Sequence, residues 1–151
     1  MYKIQCDKNL ISVMENVFSS VGIEAEISIF SDEKPDISIM RTAEIFKNDA
    51  DYLIINSDDK ILMNKIKGSK GKIITCGLSN RSTVTFSSIS ESEAVMCIQR
   101  SFVCPCGIKI SPFELPFKCY GRCYDEVSIL MILTAALLCG ADASQLSKIY
   151  L

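Results

Sequence analysis

Histidine, a long apolar run and a dense basic run are all missing from this 151-residue chain. Without histidine there is no imidazole to serve as a general base or as a metal ligand. The longest apolar run, residues 129–140, is interrupted by Thr134 and is shorter than the roughly 20 residues that span a bilayer. The net charge is only -2, and no segment gathers enough lysine or arginine to follow a phosphate backbone. We therefore expect the chain to bind neither nucleic acid nor a membrane.

The overall composition is apolar for a protein without a membrane span. Hydrophobic residues make up 48% of the chain and the mean hydropathy is +0.25. A chain of this length is sufficient for one domain with its own core, which predicts a single module over residues 1–151. The apolar surplus predicts an interface, as a homo-oligomer or with a protein partner. The first residues lack the cationic stretch and apolar core of an export signal, which predicts a cytoplasmic protein.

Eight cysteines stand out in a chain that is not expected to be exported. In a reducing compartment they are better read as thiols or metal ligands than as disulfides. Four of them could present thiolates to a zinc ion: Cys104, Cys106, Cys119 and Cys123. Their C-x-C and C-x3-C spacings differ from the usual pair of C-x2-C knuckles, so ordinary buried or exposed thiols are the alternative, and we expect no bound metal.

Strand and helix patterns alternate over residues 1–76. Residues 1–5, 25–30, 52–56 and 72–76 read as strands, and apolar residues at helical spacing predict helices after the first and third of them. A further helix is predicted to begin at Pro35, with its apolar stripe running from Ile37 to Phe46. This alternation predicts an α/β fold: a three-layer, mostly parallel sheet.

The pattern changes after Gly77. Residues 77–118 contain β-rich segments separated by turn residues, which predicts a small antiparallel β patch. Residues 119–151 return to helical patterns, with one helix from Glu126 to Cys139 that Gly140 ends and a second, short helix that runs to Tyr150.

The helix at residues 126–139 is apolar on nearly all sides. A helix of this kind must be covered all round. We predict that part of its surface, or surfaces beside it, stays apolar and recruits another chain. Complete burial beneath the last helix is the alternative.

Polar residues follow the apolar run "YLIINSDDK" at residues 52–60. The carboxyl ends of parallel strands are where ligands bind in open α/β sheets, so Asn56, Asp58 and Asp59 are candidate binding residues. The alternative is that Ser57 or Asp58 caps the next helix.

Four segments resemble, in their order and spacing, the later part of the central domain of Mur ligases. These segments are "RTAEIFKNDADYLIINSDD", "KIITCGLSNRSTVTFSSI", "FVCPCGIKISPFELPF" and "YGRCYDEVSILMILTAALLCGAD". Mur ligases and the related folylpolyglutamate synthetases use ATP to join amino acids to carboxylates. The similarity covers roughly residues 37–150. It implies that Asn56, Asp58 and Asp59 derive from a site near the adenine of ATP.

The chain departs from that family at the residues that carry the chemistry. A P-loop holds the ATP phosphates in Mur ligases. The only comparable Gly-Lys pairs here, in residues 67–72, have the wrong spacing, and the family's His-Asn element is replaced near residues 121–124. Without these groups the charge that develops during phosphoryl transfer is not stabilised. No catalytic residue is therefore predicted.

These observations predict a degenerate Mur-ligase-like module that binds protein rather than catalysing a reaction. The alternative is a nucleotide-binding subunit or regulator of a split Mur-type ligase in cell-wall precursor metabolism. No cofactor is expected, and any ATP binding at the candidate residues should be weak.

Overall fold

The computed structural model describes residues 1–119 and 125–151. Within these ranges lie ten strands and four helices. In chain order they are β1 (Tyr2–Cys6), α1 (Lys8–Ser20), β2 (Ala25–Ile29), β3 (Ile37–Met40), β4 (Tyr52–Asn56), α2 (Lys60–Lys65), β5 (Lys72–Cys76), β6 (Val84–Ile89), β7 (Glu93–Ile98), β8 (Phe102–Val103), β9 (Lys109–Ile110), β10 (Phe113–Lys118), α3 (Glu126–Leu138) and α4 (Ala143–Leu146).

Eight of the strands form one sheet in the order β10-β7-β6-β5-β4-β3-β1-β2. The neighbours from β2 to β6 pair in parallel, whereas β7 pairs antiparallel with both β6 and β10. The α/β class and the mostly parallel sheet are therefore confirmed. The β-rich segments mainly extend this sheet, and only β8 and β9 form a separate two-stranded sheet.

Helices α1 and α3 cover the first face of the sheet and enclose the larger apolar core. Asp7 caps α1 by accepting a hydrogen bond from the N–H of Asn9, and the buried side chains of that helix recur every three or four residues from Leu10 to Phe18. In α3, every residue from Ser128 to Leu138 is buried. This stretch of α3 therefore offers no apolar surface to another chain, whereas the prediction that surfaces beside the helix recruit one stays a prediction.

The second face is covered only in part. Residues 30–36 cross it above β1, where the buried Gln5 amide donates to Ser31 Oγ at 2.9 Å and to the Glu33 carbonyl at 3.1 Å. Residues 43–50 and α2 then form a small core against Leu53 and Ile55. Among the described helices, none but α2 contributes to that core, and no residue of β5, β6, β7 or β10 belongs to it.

Two of the predicted helices differ from the structure. The helix predicted from Pro35 is wrong, because Ile37–Met40 form strand β3 between β1 and β4. Its four side chains are all buried, which suits a central parallel strand covered on both faces. The last helix is shorter than predicted, because α4 ends at Leu146 and Tyr150 instead forms a bridge with Lys118 of β10.

No helix within residues 1–119 and 125–151 combines the length and the apolar character that crossing a membrane requires.

Candidate functional site

A crevice is expected where the connections after β1 and β3 leave the sheet on opposite faces. Helix α1 follows β1 on the first face, and residues 41–51 follow β3 on the second face. In open α/β sheets, ligands bind at such a switch point beside the carboxyl ends of the strands. The residues that directly follow these strands are Asp7 and Arg41.

Arg41 joins three elements at this point. Its Nη2 donates to Asp7 Oδ2 at 2.7 Å, and its Nη1 lies 3.2 Å from Asp125 Oδ2 and 3.4 Å from Ser128 Oγ. The Arg41 side chain is only 24% exposed, and its Nε is buried with no hydrogen-bond partner among the described residues. Both carboxylates also cap helices, since Asp7 accepts from Asn9 N and Asp125 from Ser128 N. The cluster therefore ties β3 to the amino-terminal ends of α1 and α3.

The charges in this cluster stabilise one another. The hydrogen bond from Arg41 is the main reason that the pKa of Asp7 is lowered. For Asp125, burial would raise the pKa, but the hydrogen bonds from Ser128 and the nearby Arg41 charge outweigh it, so the pKa is lowered. Burial similarly opposes the charged form of Arg41, yet the bond to Asp7 leaves its pKa raised. At neutral pH both carboxylates are ionised, and an anionic ligand would have to displace one of them to reach either Nη atom.

The candidate residues Asn56, Asp58 and Asp59 lie next to this cluster. Asn56 Nδ2 donates to the Arg41 carbonyl at 3.1 Å, while its Oδ1 accepts from the N–H of Asp58 at 2.9 Å. Asp58 Oδ2 accepts from the N–H of Leu78 at 3.0 Å. Asp59, rather than Ser57 or Asp58, caps α2. The three residues thus lie at the carboxyl end of β4, as expected, and each side chain stabilises a turn by its hydrogen bonds.

The turn after β5 packs tightly on this loop. Ser57 Oγ lies 2.7 Å from Ser82 Oγ and 3.2 Å from the Cys76 carbonyl. A Cβ placed at Gly77 would lie 2.5 Å from Ser57 Oγ and 2.7 Å from Asp58 Oδ1, closer than side-chain carbons approach. Position 77 therefore requires glycine for a close approach between two turns.

The four candidate zinc ligands have different environments. Cys104 and Cys119 are buried and Cys106 is exposed, whereas Cys123 lies outside the described residues. Cys104 Sγ donates to the Leu137 carbonyl at 3.6 Å, and burial raises the pKa of this thiol to about 11. Within residues 1–119 and 125–151, no group of three or more histidine, cysteine, aspartate or glutamate residues is arranged to hold a metal ion. Cys104 is a protonated core thiol in this arrangement.

Sequence reasoning missed the Arg41 cluster. The incorrect helix over residues 37–46 placed Arg41 within a helix, although it follows a buried strand. The available signal was that a charged residue directly follows β1 and β3, at the strand ends where sites occur.

Neither a protein-family model nor a curated protein matches this sequence.

Proposed function

We propose that this chain is a non-catalytic binding module, and that a protein partner packs on the uncovered part of the second face of its sheet. One observation carries this proposal: β5, β6, β7 and β10 lack a helical layer on that face within the described residues. Strands that pair in parallel are normally covered on both faces, and β5 pairs in parallel with both β4 and β6. We call the uncovered surface the open face.

The open face presents β-branched and other small side chains together with the charged residue Glu114. On β5, Ile73 is 38% exposed and Thr75 is half-buried. On β7, Val95 and Cys97 are half-buried, and their cross-strand neighbours on β10 are Pro116 and Glu114. A partly apolar surface of this kind marks interaction sites on proteins.

The Mur ligase resemblance supplies a candidate for the partner. On this proposal the chain is a degenerate relative of the late central domain, and its partner is a subunit of a Mur-type ligase that provides the phosphate-binding groups. The resemblance rests on the order and spacing of the four sequence segments. The partner and the pathway both belong to the proposal.

Lysine substitutions on the open face should disrupt the complex. We expect Val95→Lys and Ile73→Lys each to weaken binding of the partner at least about tenfold, because each places a charge in a contact that must lose its water. The partner would be captured from the source cells with the wild-type chain, identified by mass spectrometry, purified, and titrated against each variant by calorimetry.

Ile61→Lys is the matched control, because Ile61 is 65% exposed on α2 and lies outside the open face. It should bind like the wild type. A complex that tolerates both substitutions on the open face, or that Ile61→Lys disrupts equally, would contradict the proposal.

Nucleotide binding separates this function from the alternative of a nucleotide-binding subunit. We expect ATP to bind with a dissociation constant near or above roughly 1 mM, because nothing replaces the P-loop that holds the phosphates in the related ligases. The side chains of Asn56, Asp58 and Asp59 are moreover already engaged in hydrogen bonds with the backbone of Arg41, Leu78 and Leu62. Calorimetry would measure the affinity. Micromolar binding that Asn56→Ala weakens would favour the alternative.

A further inference from the structure

The two edges of the eight-stranded sheet differ in how they are protected. At one edge, β10 contains Pro116, which has no N–H to offer, and it ends at the charged residue Lys118. The C-terminal residues also cover part of this edge, because Tyr150 forms a bridge with Lys118 and the N–H of Leu151 donates to the Lys118 carbonyl at 3.1 Å. This edge is blocked against further strand pairing.

The opposite edge, β2, lacks both the proline and the covering segment among the described residues, and its one charged residue is Glu26. Its sequence, AEISI, contains neither proline nor lysine, and it pairs with β1 alone. Ile29 is 57% exposed and Ile27 is half-buried. A strand of this kind presents free N–H and C=O groups along its outer side.

A groove runs beside this edge on the first face. It has a volume of about 450 Å³ and lies between β2 and α1, with Met1, Phe18 and Ala25 among its lining residues. The Met1 side chain is 83% exposed. Backbone pairing along β2 would therefore be accompanied by apolar contact on the same side of the sheet.

We propose that β2 pairs antiparallel with β2 of a second copy of this chain, about a two-fold axis at Ile27, so that the two sheets join into one. In this register Glu26 faces Ser28 of the other copy, Ala25 faces Ile29, and Ile27 faces its counterpart. Apolar residues meet apolar residues on the first face, and no like charges stand directly opposite. The strand is therefore complementary to itself.

Neighbouring registers fit less well. A two-fold axis perpendicular to the joined sheet keeps each face continuous, so it must pass through a residue rather than between two residues. An axis at Glu26 would place two glutamates directly opposite each other, which is destabilising. An axis at Ser28 would place Glu26 opposite Phe30 and leave Ala25 beyond the paired strand. The axis at Ile27 pairs all five residues of β2.

The inferred contact concerns a different surface from the open face, so either one can fail without the other. Glu15 and Glu24 line the groove and are exposed, which adds repulsion between the two copies. Salt screens this repulsion, and the Debye length falls to about 8 Å at physiological ionic strength. The dimer dissociation constant should therefore be measured at or above that ionic strength. A reductant should be present, because the exposed Cys106 can form intermolecular disulfides.

Paired substitutions at Ser28 test both the contact and its register. Ser28→Lys places a cation opposite Glu26 of the other copy, and Ser28→Glu places an anion there. Because each dimer contains two such pairs, we expect Ser28→Lys to lower the dimer dissociation constant and Ser28→Glu to raise it, each about tenfold. Light scattering coupled to size exclusion, over about 1 to 200 µM protein, gives the dissociation constants.

Two further measurements test the inference. Glu26→Lys combined with Ser28→Glu should restore the dimer, because the opposite charges are exchanged. Amide hydrogen exchange should slow along β2 as the protein concentration rises. The proposed pairing would be overturned if the protein is a monomer at every concentration. It would also be overturned if neither Ser28 variant changes the dimer dissociation constant, or if Ser28→Lys raises it.

Discussion

Replacing Leu130 by glutamate should prevent the chain from folding near neutral pH. The Leu130 side chain is fully buried in α3, where the residues around it are buried as well. Even after relaxation, an ion placed in such a site costs several kcal/mol, which is comparable to the whole stability of a small domain. Circular dichroism and urea titration would show the loss of the cooperative transition.

A milder substitution at the same position gives a measurable value. Leu130→Ala should lower the free energy of unfolding by about 2–5 kcal/mol, because it removes buried methyl groups and leaves a cavity. The control is Ile61→Glu, at a residue of α2 that is 65% exposed, where we expect a change within about 0.5 kcal/mol. A folded Leu130→Glu variant would show that α3 lies at a surface after all.

Replacing Arg41 by methionine should lower the free energy of unfolding by about 2 kcal/mol. The substitution keeps the apolar stem but removes the hydrogen bonds to Asp7 and Asp125, whose carboxylates then face each other without a cation. The Asp125 side chain is 58% exposed, so water screens its share, and the expected value is below that for breaking a fully buried ion pair.

The effect should also depend on pH. The pKa values of Asp7 and Asp125 are lowered in the folded chain, so their stabilisation is fully present above the unfolded value near 4. It is lost as the pH falls through the lower, folded values. The difference between wild type and Arg41→Met should therefore shrink below about pH 4 in urea titrations.

Lys34→Met is the matched control for this experiment. Lys34 forms an ion pair with Asp51 at 2.9 Å, but both side chains are well exposed, and such pairs stabilise little. We expect this variant to remain close to the wild type at every pH. An equal loss at Lys34 and Arg41, or a loss at Arg41 that persists in acid, would contradict the assignment of the Arg41 cluster as the stabilising contact.

The elements that were predicted correctly have a pattern complete within their own sequence. The helix α1 shows apolar residues at helical spacing together with a capping Asp7, and β4 is a short apolar run ended by polar residues. Strand β3 was missed because its four residues, ISIM, are too few to distinguish a buried strand from the first turn of a helix. Its neighbours β1 and β4, which decide the matter, are distant in sequence.

The candidate site shows the same limit. The strand end at Asn56 was predictable, since polar residues directly follow an apolar run. The neighbouring cluster around Arg41 was not predictable, because Arg41 lies 34 residues from Asp7 and 84 residues from Asp125 along the chain. Only the sheet order, with β1 beside β3, brings these charges together. A spacing rule within one element cannot detect a contact that the topology makes.

The position of α3 affects how the chain can fold while it is being synthesised. This helix lies against β4, β5 and β6, yet it is made after all three of them. Until residue 138 has emerged from the ribosome, the side chains of Ile54, Ile74 and Val84 lack the helix that buries them. A nascent chain can pair its strands early but cannot close its main core, and the exposed apolar strands of such an intermediate favour aggregation or recruitment of a chaperone.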